Sequence, residues 1–252
     1  MRYKCVVAYK GNNYAGFQSQ INGLAIQDVI EEKLAVIIRE PVKIVMSSRT
    51  DAGVHALGQV FHFDSAKELN LYKFKHSINC LLPHDIHVHT IEKVDEDFHA
   101  RFNVLGKQYV YLINCGEYNV FYDGFAYQCP FPLDVDLMKQ ATKLFLGEHN
   151  FEAFNTSPLD LYPNQVRTIY RFDLIEQGDV LRFEIVGDGF LRNMVRIIVG
   201  TLVDLGRGKK TVDDIEKMFS EPRKDERRNN IDPNGLYLKE VYYDALPCDS
   251  QQ

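Results

Sequence analysis

Ser47-Ser48-Arg49-Thr50-Asp51-Ala52-Gly53-Val54-His55-Ala56-Leu57-Gly58-Gln59 is the stretch around which the rest of the chain falls into order. It is polar, carries two glycines, and is too long for a tight hairpin turn. It joins two short apolar runs, Val42–Met46 and Gln59–Phe63, that read as strands. Upstream, Tyr3, Cys5, Val7 and Tyr9 alternate with Lys4, Val6 and Ala8, a period of two that predicts another strand. Ile26, Val29, Ile30, Leu34, Ile37 and Ile38 then recur at helical spacing, and Pro41 enforces the stop. Downstream, Ile86–Thr90, Lys107–Asn114, Val166–Ile175, Val180–Val186 and Leu236–Tyr243 read as strands. Leu137–Leu146 and Phe190–Leu205 read as helices, closed by Gly147 and Gly206, and Thr211 starts a further short one. Strands and helices alternate twice, with a break near residues 102–106. The order predicts an α+β protein of two similar α/β units, residues 1–104 and 105–252, each with helices packed on a mainly antiparallel sheet.

The composition narrows the function. The chain has 252 residues, 45% hydrophobic and 25% charged, an ordinary globular mix rather than a disordered or fibrous one. No apolar run reaches the ~18 residues of a membrane helix, and the first residues read as a strand rather than a leader. The five cysteines, Cys5, Cys80, Cys115, Cys129 and Cys248, are widely spaced with no Cys-x-x-Cys. That pattern fits reduced thiols in a cytoplasmic protein and spells out no zinc knuckle. His84, His87 and His89 lie close together, but no cysteine or paired carboxylate completes a ligand set, so no metal is expected. The net charge is −6, so a nucleic-acid partner must be met by a local basic face. Residues 181–210 carry Arg182, Arg192, Arg196, Arg207, Lys209 and Lys210 against Glu184, Asp188 and Asp204, and read as the lining of such a groove. The run at 222–228 reads equally well as a solvated surface.

Asp51 is the only acid of the opening stretch. A single positioned carboxylate can act as nucleophile or general base, and it can equally cap a turn. Residue type alone leaves both open. Tyr109 likewise fits an ordinary sheet aromatic, and Arg196 a solvated position on an amphipathic helix.

The wording of the stretch closes the choice. Ser48-Arg49-Thr50-Asp51-Ala52-Gly53-Val54-His55-Ala56 resembles the Gly-Arg-Thr-Asp-Ala-Gly-Val-His-Ala signature of the TruA family of tRNA pseudouridine synthases. Tyr9-Lys10-Gly11 with Tyr14–Gln20 resembles the family's first strand and turn, and Leu81-Leu82-Pro83-His84-Asp85-Ile86 its Leu-Leu-Pro-x-Asp-Ile segment. Ala100-Arg101-Phe102 followed by Lys107–Tyr111 resembles its stacking-tyrosine strand. Gly147–Phe151, Phe190–Arg196 and Gly235-Leu236-Tyr237-Leu238 also fit, in the family's order.

The resemblance implies the pseudouridine synthase fold with an active-site cleft between the units. It implies isomerisation of uridine to pseudouridine in the tRNA anticodon stem-loop, at positions 38, 39 and 40, with no cofactor. By position Asp51 matches the catalytic aspartate, Arg196 the arginine that pairs with it, and Tyr109 the tyrosine that stacks on the target base. Arg49 matches an arginine that holds the flipped nucleotide. Arg192, expected one helical turn from Arg196, is placed within reach of a phosphate, and Leu236 among the substrate-binding residues. The family further implies a homodimer in which one tRNA touches both subunits. The roles agree with the physics: unstacking a base costs a few kcal/mol, and an aromatic ring returns ~1–3. The chain departs from the pattern at Ser48, at Phe17 in place of a tryptophan, and most at Asn229-Asn230-Ile231-Asp232-Pro233-Asn234, which leaves the target-nucleotide preference open. The rival reading is a catalytically inactive tRNA-binding or RNA-folding module of the same fold.

Overall fold

The computed structural model describes residues 1–222 and 228–247. Most of the charged run at 222–228, and Cys248, lie outside the described residues. In chain order the elements are β1 (Arg2–Tyr9), α1 (Ile26–Ile38), β2 (Val45–Met46), β3 (His55–Asp64), α2 (Leu71–Leu81), β4 (Ile86–Val94), β5 (Gly106–Asn114), β6 (Tyr127–Gln128), α3 (Val135–Ala141), β7 (Gly147–Asn150), β8 (Val166–Gln177), β9 (Val180–Gly187), α4 (Met194–Gly206), α5 (Val212–Ser220) and β10 (Leu236–Tyr242). They form two compact units, Met1–Leu105 with Tyr237–Ala245, and Gly106–Leu236 with Leu246 onward. The chain therefore does not divide once, as the expected ranges 1–104 and 105–252 require. The last strand returns to the first unit, because Tyr237 and Leu238 pair in parallel with His55 and Ala56 of β3.

In the first unit the strands run in the order β4-β1-β3-β10, with β2 on β3. β1 is antiparallel to both β3 and β4. Its odd-numbered residues Tyr3, Cys5, Val7 and Tyr9 are all buried, as the period-two pattern requires. On α1 the buried stripe is Ile26, Val29, Ile30, Leu34 and Ile38. Each such side chain, fully buried, contributes ~1.5–3 kcal/mol. The helix stops at Arg39, which is left-handed at φ 65°, two residues before Pro41.

In the second unit the order is β5-β9-β8-β7, all antiparallel, with β6 parallel to β5. Its core is aromatic: Phe145, Phe151, Phe154 and Phe219 meet with ring centroids 4.8–6.0 Å apart. Thr211 and Asp214 cap α5 reciprocally, the Thr211 hydroxyl accepting from the Asp214 N–H and the Asp214 carboxylate from the Thr211 N–H.

Two expectations need correction. The helix expected from Phe190 begins only at Met194, so Arg192 precedes it instead of lying a turn before Arg196 on one face. The reason is Asn193, left-handed at φ 61°, a conformation that asparagine tolerates and that breaks the incoming chain. The strand expected over Val42–Met46 is reduced to Val45–Met46.

Candidate active site

In the first unit the loop between β2 and β3 spans residues 47–54, since His55–Gly58 already belong to β3. Its base is closed by Gln59, whose Oε1 accepts from the Ser47 hydroxyl at 2.7 Å and whose Nε2 donates to the Ser48 carbonyl at 2.8 Å. Thr50 is fixed twice: its hydroxyl meets the Tyr9 hydroxyl at 2.8 Å, and its carbonyl accepts the Phe17 N–H at 3.2 Å. Asp51 comes next, half-buried, and its carbonyl accepts the Val54 N–H at 3.1 Å in a turn that uses Gly53 at φ +79°. His55 is 1% exposed, stacks on Tyr237 at 4.7 Å, and accepts the Gly11 N–H on Nδ1 at 3.1 Å.

Two glycines make this seating possible. A Cβ on Gly11 would lie 2.1 Å from the Val54 carbonyl oxygen, and one on Gly16 2.6 Å from that of Thr50. The segment 9–17 and the loop 47–55 therefore press backbone against backbone. Arg49 is exposed beside this rigid frame.

In the second unit Tyr109 sits at the start of β5, opposite Ile185, with its ring 5.0 Å from Phe190 at 76°. Arg196, on the first turn of α4, is half-buried rather than solvated. Its Nε donates to the Ile231 carbonyl at 2.7 Å and its Nη1 to Asn193 Oδ1 at 2.9 Å. Asn193 in turn donates to the Thr156 hydroxyl at 2.8 Å. Leu236 is buried, and Arg192 is exposed. Sequence reasoning missed Asn193 and Phe190 as supports of Arg196 and Tyr109; the signal for Asn193 was an asparagine directly before an apolar helix.

The divergent segment 229–234 supports the same corner. Besides Ile231, the Asp232 carbonyl accepts the buried Tyr111 hydroxyl at 2.6 Å, and Asn229 donates to Gly200 and Asp204 of α4. Burial, followed by Asp232, holds the Tyr111 hydroxyl well above the usual phenol range, so it stays a donor.

The basic residues of 181–210 are spread over three places. Arg182 is paired with Glu184 at 2.6 Å on β9, Arg192 and Arg196 flank the start of α4, and Arg207 stacks on Phe131 beyond its end. The length of α4, ~20 Å at 1.5 Å per residue, separates the last two groups. Among the described residues no three His, Cys, Asp or Glu side chains are grouped to hold a metal ion, and no helix is long and apolar enough to cross a membrane.

Comparison with known proteins gives the class. The family model described as tRNA pseudouridine synthase matches residues 5–103 and 141–244. The chain is 42% identical over 242 residues to tRNA pseudouridine synthase A of Exiguobacterium sibiricum, covering 96% of each chain. It is 39% identical over 247 residues to tRNA pseudouridine synthase A of Bacillus subtilis, covering 97% of this chain and all of the relative. The chain belongs to the tRNA pseudouridine synthase family and has its fold.

Proposed function

We propose that this chain isomerises uridine to pseudouridine in the anticodon stem-loop of tRNA, at positions 38, 39 and 40. The reaction breaks the glycosidic C–N bond, turns the uracil and forms a C–C bond to the same ribose, so product and substrate contain the same atoms. Asp51 is the catalytic carboxylate, acting as nucleophile or general base. Tyr109 receives the everted base. Arg196 pairs with Asp51 and orients it. Arg49 holds the flipped nucleotide, Arg192 contacts a phosphate, and Leu236 lines the substrate site. The enzyme works in the cytoplasm without a cofactor, as a homodimer in which one tRNA contacts both subunits.

The observation that carries the reading is the frame of Asp51: a half-buried carboxylate on a loop tied at Thr50, Val54 and His55 to the segment 9–17. A carboxylate that merely caps a surface turn needs no such frame. The relatives' names point to the enzyme rather than to the inactive module. Mapping pseudouridine in tRNA from cells lacking this protein tests the assignment. Loss confined to positions 38, 39 and 40 supports it. Loss elsewhere overturns the site, and no loss at all favours a binding module.

A further inference from the structure

We propose that Cys115 and Cys129 form a redox-active dithiol, a modification site that closes to an intramolecular disulfide when a small peroxide reaches it. β5 and β6 are parallel, with Ile113 opposite Tyr127 and Asn114 opposite Gln128. One further step in that register sets Cys115 beside Cys129. The Cys129 N–H donates to the Asn114 carbonyl at 2.8 Å, which holds the two residues side by side. Neighbouring strands lie ~4.8 Å apart, inside the range of Cα separations that a disulfide spans.

The frame around the pair is fixed. Asn114 donates to Gln128 Oε1 at 2.7 Å, Gln128 donates to the Asn119 carbonyl at 3.0 Å, and the Cys115 N–H donates to the Asp179 carbonyl at 2.8 Å. The electrostatics separate the two sulfurs. Cys129 is pushed down by its neighbour Cys115 first and by Arg207, against burial, which acts the other way. Cys115 is pushed up by its neighbour Cys129, then by burial. Cys129 is thus the more readily ionised of the two sulfurs. Arg207 is kept nearby by its stacking on Phe131, 3.7 Å from the ring centroid. Cys129 is buried, but Cys115 is half-buried. Its neighbours Asn114 and Asp179, though neither cysteine, line an open cavity of about 590 Å³ beside the pair. Cys5 differs in each respect: it is buried on β1, and burial pushes its thiol far up.

The chemistry balances. The Cys129 thiolate attacks a peroxide oxygen, the O–O bond breaks, and hydroxide leaves, giving a sulfenic acid. The Cys115 sulfur attacks the sulfenic sulfur, the S–O bond breaks, and the S–S bond forms. The thiol proton and the displaced hydroxide leave as water. In sum one thiolate and one thiol are oxidised to a disulfide, and one peroxide is reduced to a water and a hydroxide, which takes a proton from solvent to become the second water. The product ties the exposed Tyr118, Val120 and Phe121 segment to the end of β5.

The test uses the full-length chain carrying Cys80→Ser and Cys248→Ser, reduced and then treated with a modest excess of hydrogen peroxide. Expected are a mass loss of about 2 Da, a peptide linking Cys115 to Cys129, and reversal by dithiothreitol. Chymotryptic cleavage at Tyr118 and Phe121 is expected to slow severalfold in the oxidised form. With Cys115→Ser added, the expected product is a sulfenic acid on Cys129 that dimedone traps. A gain of about 16 or 32 Da without a crosslink in the parent, or free alkylation of both thiols after peroxide, overturns the proposal.

Discussion

The acid loop of the first unit and the arginine corner of the second are held by opposite means. Around Asp51 backbone presses on backbone beside a few side-chain bonds, and glycine is required because Gly11 and Gly16 leave no space for a Cβ. Around Arg196 the contacts are side chain on carbonyl, through Asn193, Ile231 and Asp232. Steric seating tolerates almost nothing, whereas hydrogen-bonded seating degrades by steps. The group proposed to touch the ribose sits in the stiffer frame, where an error of position costs most.

The comparison can be broken by substitution. Asp51→Asn should lower turnover by at least ~1000-fold while leaving the thermal melt unchanged, because only the reacting group is altered. Arg196→Lys should cost about 10- to 100-fold in kcat, since lysine keeps the charge and loses the fork that bonds Ile231 and Asn193 together. His55 offers a sharper contrast. His55→Asn can present an oxygen where Nδ1 stood and should stay within about threefold of normal kcat. His55→Gln presents it one atom further on and should lose about tenfold, with KM little changed.

Stability measurements sharpen the same distinction. Gly11→Ala should cost ~3 kcal/mol in urea unfolding, because the new methyl meets the rigid Val54 backbone. Tyr111→Phe should cost only about 1–2 kcal/mol, the loss of one buried hydrogen bond to Asp232. The pH dependence of stability gives a further measurement. Burial, then Arg2, lowers His62 to about 4, and its Nδ1 accepts the Ala100 N–H. The unfolded chain takes up that proton near pH 6.5, before the folded one does. Stability is therefore full above ~6.5 and falls as pH drops toward 4. Denaturation midpoints should follow that slope, and His62→Asn should flatten it.

Much of this architecture was legible in the sequence where a single physical signal dominated. Period two fixed the buried face of β1, helical spacing that of α1, and a reciprocal cap the start of α5. The aspartate loop was legible through its wording, but its seating on residues 9–17 was not, because it rests on close backbone approach. Helix α2 gave no clear pattern because only Phe74 and Ile78 are buried on it. The start of α4 was read too early because apolar spacing continues through Leu191, while Asn193 turns the backbone away. The charge count over 181–210 did not show that Arg182 is already paired with Glu184. The service of segment 229–234 to Arg196 and Tyr111 had no sequence signal, since backbone carbonyls carry it.

The most direct test compares tritium release from tRNA labelled at uridine C5 by the intact chain and by Asp51→Asn. Release by the intact chain from anticodon-arm uridines, and none above background from the variant, is the predicted result. Equal release from both would remove Asp51 from the chemistry and leave its rigid loop without a catalytic purpose.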